Sequence, residues 1–149
     1  MIQVMDDLKS VDDLINDVNF DINNWHGYVY LIKDKETGRE YFGKKNFFLT
    51  QNKKLGKKES AALPIKRGKK PTKKKVVKES DWKTYYGSSE EIKSVPKERL
   101  KRYLIRLCKT SKELSYYETK YLFVYGVLEN DNYMNDNIQG RFFRKDLLD

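Results

Sequence analysis

The sequence predicts an α+β domain: a small three-stranded antiparallel sheet flanked by helices, preceded by an amphipathic helix and interrupted by a basic loop. Three observations carry this. Residues 27–47 (GYVYLIKDKETGREYFGKKNF) alternate and turn like a β-hairpin. Residues 101–109 (KRYLIRLCK) alternate like a third strand, and residues 110–126 repeat apolar side chains at helical spacing. With 149 residues, 38% hydrophobic and 36% charged, the chain is long enough for one polar domain with a modest core.

Residues 1–24 place Val4, Leu8, Val11, Ile15 and Val18 at helical spacing with acids on the other side. One acidic amphipathic helical segment, with a break allowed near Ser10, is expected to cover one side of the sheet. Its six aspartates against Lys9 alone leave open a second use, in which the acidic face folds over basic chain and imitates phosphate.

In the hairpin, residues 27–33 and 39–43 form the strands, and residues 34–38 supply the turn, with Gly38 free to take positive φ. Side chains two apart share a face, which groups Tyr28, Tyr30 and Ile32 on one strand and Tyr41 with Gly43 on the other. A register nearly symmetric about the turn brings Tyr30 beside Tyr41, and a one-residue slip separates them. Two phenols beside a glycine are either ordinary strand aromatics or a place where a ligand backbone approaches closely.

A lysine-rich insertion follows at about residues 48–80. Residues 53–78 carry twelve Lys or Arg against Glu59 alone, among them Lys53, Lys54, Lys57, Lys58, Lys66, Arg67, Lys69, Lys70, Lys73, Lys74 and Lys75. Punctuated by Gly and Pro and without apolar periodicity, the insertion is expected to be a mobile loop. Charge this dense points to a polyanion, with nucleic acid ahead of an anionic membrane surface; the alternative is a solvated loop with no dedicated partner.

Order is expected to return at DWKTYYGSS, residues 81–89, anchored by Trp82 and Tyr85. Gly87-Ser88-Ser89 forms a turn or a helix start capped by Ser89. Its amides and hydroxyls could hold a phosphate, or the turn could simply pin the end of the loop. In the strand over 101–109, Tyr103, Ile105 and Leu107 share a face. Thr110 and Glu113 have capping-box spacing and open a helix that ends near Gly126, with Leu114, Tyr117, Tyr121, Leu122 and Tyr125 as its apolar stripe. Glu118 falls inside that stripe, where a carboxylate is desolvated unless a metal, a cation or a hydroxyl meets it. The tail turns through Asn130, Asn132, Asn135 and Asn137, then packs Phe142 and Phe143 in a short extended piece.

Cys108 and His26 are the single cysteine and histidine, which excludes an intrachain disulfide and a zinc site of clustered His and Cys. Any metal chemistry must use carboxylates and a hard cation such as Mg²⁺. No apolar run spans a bilayer and no leader-like start is present, so no membrane is expected, and a reducing cytoplasm is the natural setting.

Tyr28-Val29-Tyr30, followed by Tyr41-Phe42-Gly43, resembles the paired motifs of GIY-YIG nucleases. The lysines that follow, the basic insertion, DWKTYYGSS, the strand, the YYETKYLF helix and finally NYMNDNIQGRF resemble, in that order, the phage SegE-like branch. The resemblance spans residues 27–143. It implies a GIY-YIG-like nuclease domain over residues 25–149, after the acidic segment 1–24. It also implies a metal-dependent DNA endonuclease of the homing type, in the cytoplasm of a bacterial host if phage-encoded.

Residue by residue, Tyr30 and Tyr41 match the motif tyrosines and Gly43 the glycine of the second motif. Glu118 matches the helix glutamate that binds a single divalent metal, Mg²⁺ or Mn²⁺. Asn135 matches the downstream asparagine, with Asn137 the runner-up. The resemblance implies that Tyr30 or Tyr41 acts as general base through a phenolate of lowered pKa. The family's arginine, on a helix soon after the second motif, has no counterpart around Gln51. Lys44, Lys45 or Arg102 could supply that charge, with Lys45 or Arg102 on the scissile phosphate and Lys44, Ser88 and Ser89 among the nucleic-acid contacts. Tyr28 departs from the family's glycine. The alternative is a GIY-YIG-shaped domain that binds nucleic acid or a host protein without cleaving; a homodimer also stays open.

Overall fold

The tyrosine-rich stretch closes as a hairpin in the computed structural model, which describes residues 8–65, 68 and 70–147. β1 (Gly27–Asp34) pairs antiparallel with β2 (Glu40–Asn46). Asp34 starts the turn by accepting from the Glu36 N–H, and Gly38 takes φ +77°. Tyr30 sits opposite Gly43 and Ile32 opposite Tyr41, so the two phenols are diagonal neighbours on one face, ring centroids 6.4 Å apart.

β5 (Leu100–Cys108) pairs with the other side of β1, giving the sheet order β2-β1-β5. The register shifts between Val29 and Tyr30, so the single face expected for Tyr103, Ile105 and Leu107 is divided. Tyr103 lies opposite Leu31 in the core, and Leu107 lies opposite Tyr28 on the other side. One extra residue in a strand reverses every side chain beyond it.

α4 (Ser111–Val124) covers the face of Val29, Leu31 and Phe42. Leu114 packs with Val29 and Cys108, and Leu122 with Leu31, Phe42 and Tyr103. Thr110 caps its start by accepting from the Glu113 N–H, and Gly126 ends it at φ +57°. On the opposite face Tyr28, Phe47, Trp82 and Phe20 form an aromatic cluster, with Phe47 and Trp82 edge-to-face at 5.0 Å.

The single helix expected over residues 1–24 is, among the described residues, a one-turn α-helix, α1 (Val11–Ile15), and a separate 3-10 turn over Ile22–Asn24. Val4 lies outside the described residues. Ser10 and Asp13 form a capping box, and Val11 and Leu14 are buried, but Val18 is 95% exposed. The chain after Asn16 is rich in Asn and Asp, whose side chains compete for the backbone: Asp17 accepts from the Asn19 N–H and Asp21 from the Asn23 N–H.

The chain divides into two compact units, Met1–Phe47 with Asp81–Asp149, and Phe48–Ser80. The second unit is not the loop that its composition suggests. β3 (Phe48–Lys54) pairs antiparallel with β4 (Lys73–Glu79), and α2 (Lys57–Ala62) lies between them in sequence. Apolar periodicity is the wrong signal here, because the ladder is held by backbone hydrogen bonds and by strand-favouring Thr50, Val76 and Val77, which need no buried face.

In the tail, residues beside Tyr133 run parallel to Glu40 at the outer edge of β2, and β6 (Asn137–Ile138) pairs with β7 (Phe142–Phe143). Arg144 ties this region together, donating to the carbonyls of Val127, Leu128, Asn130, Tyr133 and Asn135. No helix among the described residues is long and apolar enough to cross a membrane.

Candidate active site

Gly43 explains how a side chain from the central strand reaches the sheet edge. A Cβ at this position would run into the ring and hydroxyl of Tyr30, so only a bare glycine lets that ring lie across β2. The Tyr30 hydroxyl then lies beside the turn at Gly87, whose φ of +99° suits glycine. Tyr30 is 3% exposed, while Tyr41 is half-buried and opens into a cleft of about 370 Å³. Tyr28 serves packing instead, its hydroxyl donating to the Trp82 carbonyl.

The cleft brings together pieces far apart in sequence: Tyr41 and Phe42 of β2, Ser88 to Glu90 at the start of α3 (Glu90–Ser94), Glu118 and Leu122 of α4, and residues 135–137 with Gln139. Glu118 therefore shares a cavity with Tyr41, although its helix packs on the opposite face of the sheet from the phenols. The edge strand makes this possible, since among the described residues no further strand of this sheet lies outside β2 to separate the two faces.

The electrostatics of the cleft oppose negative charge. Burial pushes the Glu118 carboxyl up, and the Lys44 ammonium partly offsets it. Burial also pushes Tyr30 well above its ordinary value, reinforced by Tyr41, Tyr85, Tyr28 and Glu118. Tyr41 is raised by burial as well, against a hydrogen bond with Ser88 and with the help of Tyr85, Glu118 and Asp136. The lowered phenol pKa expected above is thus absent from the protein's own groups, because phenols and carboxylates crowd one desolvated site.

The basic residues separate into distinct roles. Arg102 is only 3% exposed; it donates to Asp12 and to the carbonyls of Trp82, Lys83 and Tyr85. It anchors the return of the chain after the insertion, and those acceptors take it out of the set that could meet a scissile phosphate. Lys45 is paired with Asp81 at 2.6 Å and lies over the Tyr85 ring. Lys44, expected as a nucleic-acid contact and as one of three candidates for the charge of the family arginine, reaches Ser115 Oγ at 2.9 Å, one turn before Glu118. It is the lysine that faces the carboxylate.

Asn135 is buried, and its amide both accepts from the Phe42 N–H and donates to the Phe42 carbonyl. It holds the edge of β2 as a strand would, a positioning role. The runner-up, Asn137, also lines the cleft and accepts from the Gly140 N–H. Ser88 and Ser89 line the cleft too; Ser89 stands at the N-cap of α3, but its side chain makes no cap bond and its buried Oγ has no partner among the described residues. Asp136 and Glu90 were missed by sequence reasoning, and no periodicity marks either of them.

Of the expected phosphate contacts, Lys53, Lys54, Lys57, Lys58, Lys70, Lys73, Lys74 and Lys75 belong to the second unit and are exposed, whereas Lys66, Arg67 and Lys69 lie outside the described residues. A family model described as "Putative endonuclease segE, GIY-YIG domain" matches residues 13–138. The chain belongs to this SegE GIY-YIG family. No curated protein and no solved structure matches it.

In this GIY-YIG domain the donor set around Glu118 fits a hard divalent cation. The oxygen-bearing side chains that line the cleft are Tyr41, Glu118, Asp136, Glu90, the two serines, Asn137 and Gln139, with no soft ligand among them, while the Asn135 amide is taken up by Phe42. Among the described residues no group of three or more His, Cys, Asp or Glu is gathered tightly enough to cage a metal. Glu118 and its neighbours could still supply the one or two carboxylates that Mg²⁺, which keeps several waters, takes from a protein.

Proposed function

We propose that this SegE GIY-YIG domain is a metal-dependent DNA endonuclease that hydrolyses phosphodiester bonds, in the manner of phage homing endonucleases, with the scissile phosphate in the Tyr41–Glu118 cleft. The observation that carries this is the shared cavity itself: a desolvated carboxylate from α4 and a phenol from β2 open on one polar, oxygen-lined space. Glu118 would hold Mg²⁺ or Mn²⁺, and the cation, when bound, would neutralise charge developing on the phosphate and make a bound water more acidic.

The remaining functions fall to the chain's own groups. Lys44, whose charge acts on the Glu118 carboxyl, would bind a phosphate oxygen by a charge-assisted hydrogen bond, standing in for the family arginine. Tyr41 Oη keeps its proton in surroundings that raise its pKa, so it enters as a donor that orients the phosphate. It becomes a proton acceptor only where added positive charge beside Glu118 offsets those surroundings. Tyr30, sealed behind it, fixes the Tyr41 ring and Gly87, and Asn135 fixes the strand edge.

Nicking of supercoiled plasmid with Mg²⁺, with Mn²⁺ and with chelator tests this. Glu118→Gln is expected to lower the rate by about 10²-fold or more, the scale of losing a preorganised electrostatic interaction at a phosphoryl site. Cleavage that survives both Glu118→Gln and chelation would refute the assignment. One observation favours the second reading, a domain that binds without cutting: Arg102 is enclosed and Lys45 is paired, leaving lysine where the family has arginine. In that case DNA is bound, no nick forms, and Glu118→Gln changes nothing.

A further inference from the structure

The register of the second unit sets like charges against each other. Lys53 lies opposite Lys74 and Lys54 opposite Lys73, and Lys75 lies opposite Asn52. Like charges directly across a ladder weaken an antiparallel pair. A two-stranded ribbon is marginal on its own, so this arrangement works against the fold of the unit.

The two faces of the ribbon differ. On one, Lys74 is bound to Glu59 of α2, and Val76 is half-buried. The other carries Thr50, Asn52 and Lys54 from β3 with Lys73, Lys75 and Val77 from β4, all exposed, Val77 at 65%. Among the described residues, Lys54, Lys73 and Lys75 have no carboxylate partner. Glu79, at the foot of the same face opposite Phe48, is the acid it contains.

We infer that this ribbon enters the major groove of duplex DNA through the Thr50–Asn52–Lys54 and Lys73–Lys75–Val77 face, the lysines on phosphates and the shorter side chains toward base edges. The inference rests on the reading of DNA as substrate and adds the form of DNA and the element that meets it. Dimensions support it, because the major groove of B-DNA, about 12 Å wide, admits a two-stranded ribbon, whereas that of duplex RNA is too narrow and deep. Chemistry supports it as well. Asn52 can pair with the adenine edge, Thr50 can bond to several bases, and Val77 can touch a thymine methyl. The lysines that repel across the ladder are relieved when each meets a phosphate and releases its counterion.

The test uses full-length protein carrying Glu118→Gln, so that binding is read without cleavage. Fluorescence anisotropy is followed against salt for duplex DNA, single-stranded DNA and duplex RNA. The triple variant Lys54→Gln, Lys73→Gln, Lys75→Gln is expected to lower the log–log salt slope by about 2.7, at about 0.9 for each phosphate that is no longer neutralised. The other-face triple, Lys53→Gln, Lys74→Gln, Lys78→Gln, is expected to change it by less than about 1. Arginine at positions 54, 73 and 75 should restore the slope. In methylation interference, methyl groups on guanine N7, which faces the major groove, should block binding, and those on adenine N3, in the minor groove, should not.

Equal effects from the two triples, single strands bound as tightly as duplex, or interference confined to adenine N3 would each overturn the ribbon assignment. Plasmid nicking by the unsubstituted protein is scored separately. Nicking with no effect of the first triple removes the ribbon and keeps the nuclease. A full effect of the triple without nicking does the reverse.

Discussion

In the first unit Arg102 and Arg144 each meet several acceptors, whereas in the second Lys54 and Lys73 lie opposite each other across the ladder. Arg102 and Arg144 gather carbonyls from separate loops and, in doing so, fix the chain around the cleft. Lys54, Lys73 and Lys75 are held by backbone pairing in positions that leave their charges exposed. Charge is structural where burial forces it to find partners, and it is left for an outside partner where solvent makes partners unnecessary.

The largest expected effect in breaking this contrast comes from Arg102→Ala. The carbonyls of Trp82, Lys83 and Tyr85 would lose a charged donor in a buried place, a cost of about 2–4 kcal/mol. Urea unfolding should report that loss with little dependence on salt. A strong salt dependence would mean that Arg102 behaves like the ribbon lysines after all.

Next comes pH. Burial pushes the Asp34 carboxyl up, but the Arg99 guanidinium and the N–H groups of Glu36 and Thr37 outweigh it and hold it below its usual range. A group depressed in the folded state contributes stability above its unfolded pKa of about 3.9 and loses it as pH falls through the lower folded value. Asp34→Asn should therefore be less stable than the parent at pH 7, and the two should converge in acid. Parallel unfolding midpoints across that range would contradict the assignment.

A smaller effect of opposite sign is expected in the ribbon. Lys54→Glu replaces a repulsion across from Lys73 with an attraction and should stabilise the hairpin by about 0.2–1 kcal/mol. Amide exchange in β3 and β4 should slow while DNA affinity falls. A change of the same sign in both measurements would show that the lysines are placed for folding and not for a partner. The smallest is Val18→Asp, which should stay within about 0.5 kcal/mol because that side chain is already in water.

Local patterns are legible where a single element decides them. The hairpin, its turn at Asp34–Gly38, the cap at Thr110 and the stop at Gly126 rest on side chains a few residues apart. Glu118 stands out for the same reason, an acid inside an apolar stripe. The first helix is shorter than its pattern because an apolar stripe says nothing of the Asx turns that compete with it. The basic insertion reads as a loop because a solvated ribbon has no buried face to mark it.

By itself the sequence determined the tyrosine hairpin, the anomalous carboxylate, the concentration of lysines and the family to which they point, since composition and spacing are properties of one stretch at a time. Only the tertiary structure decided which cation faces Glu118, that Arg102 is enclosed, that Tyr30 crosses Gly43 to the strand edge, and that Asp136 shares the cleft. Those facts depend on register and on which loops pack together, and a one-residue shift in a strand, such as the one opposite Val29 and Tyr30, is enough to turn a side chain from one face of the sheet to the other.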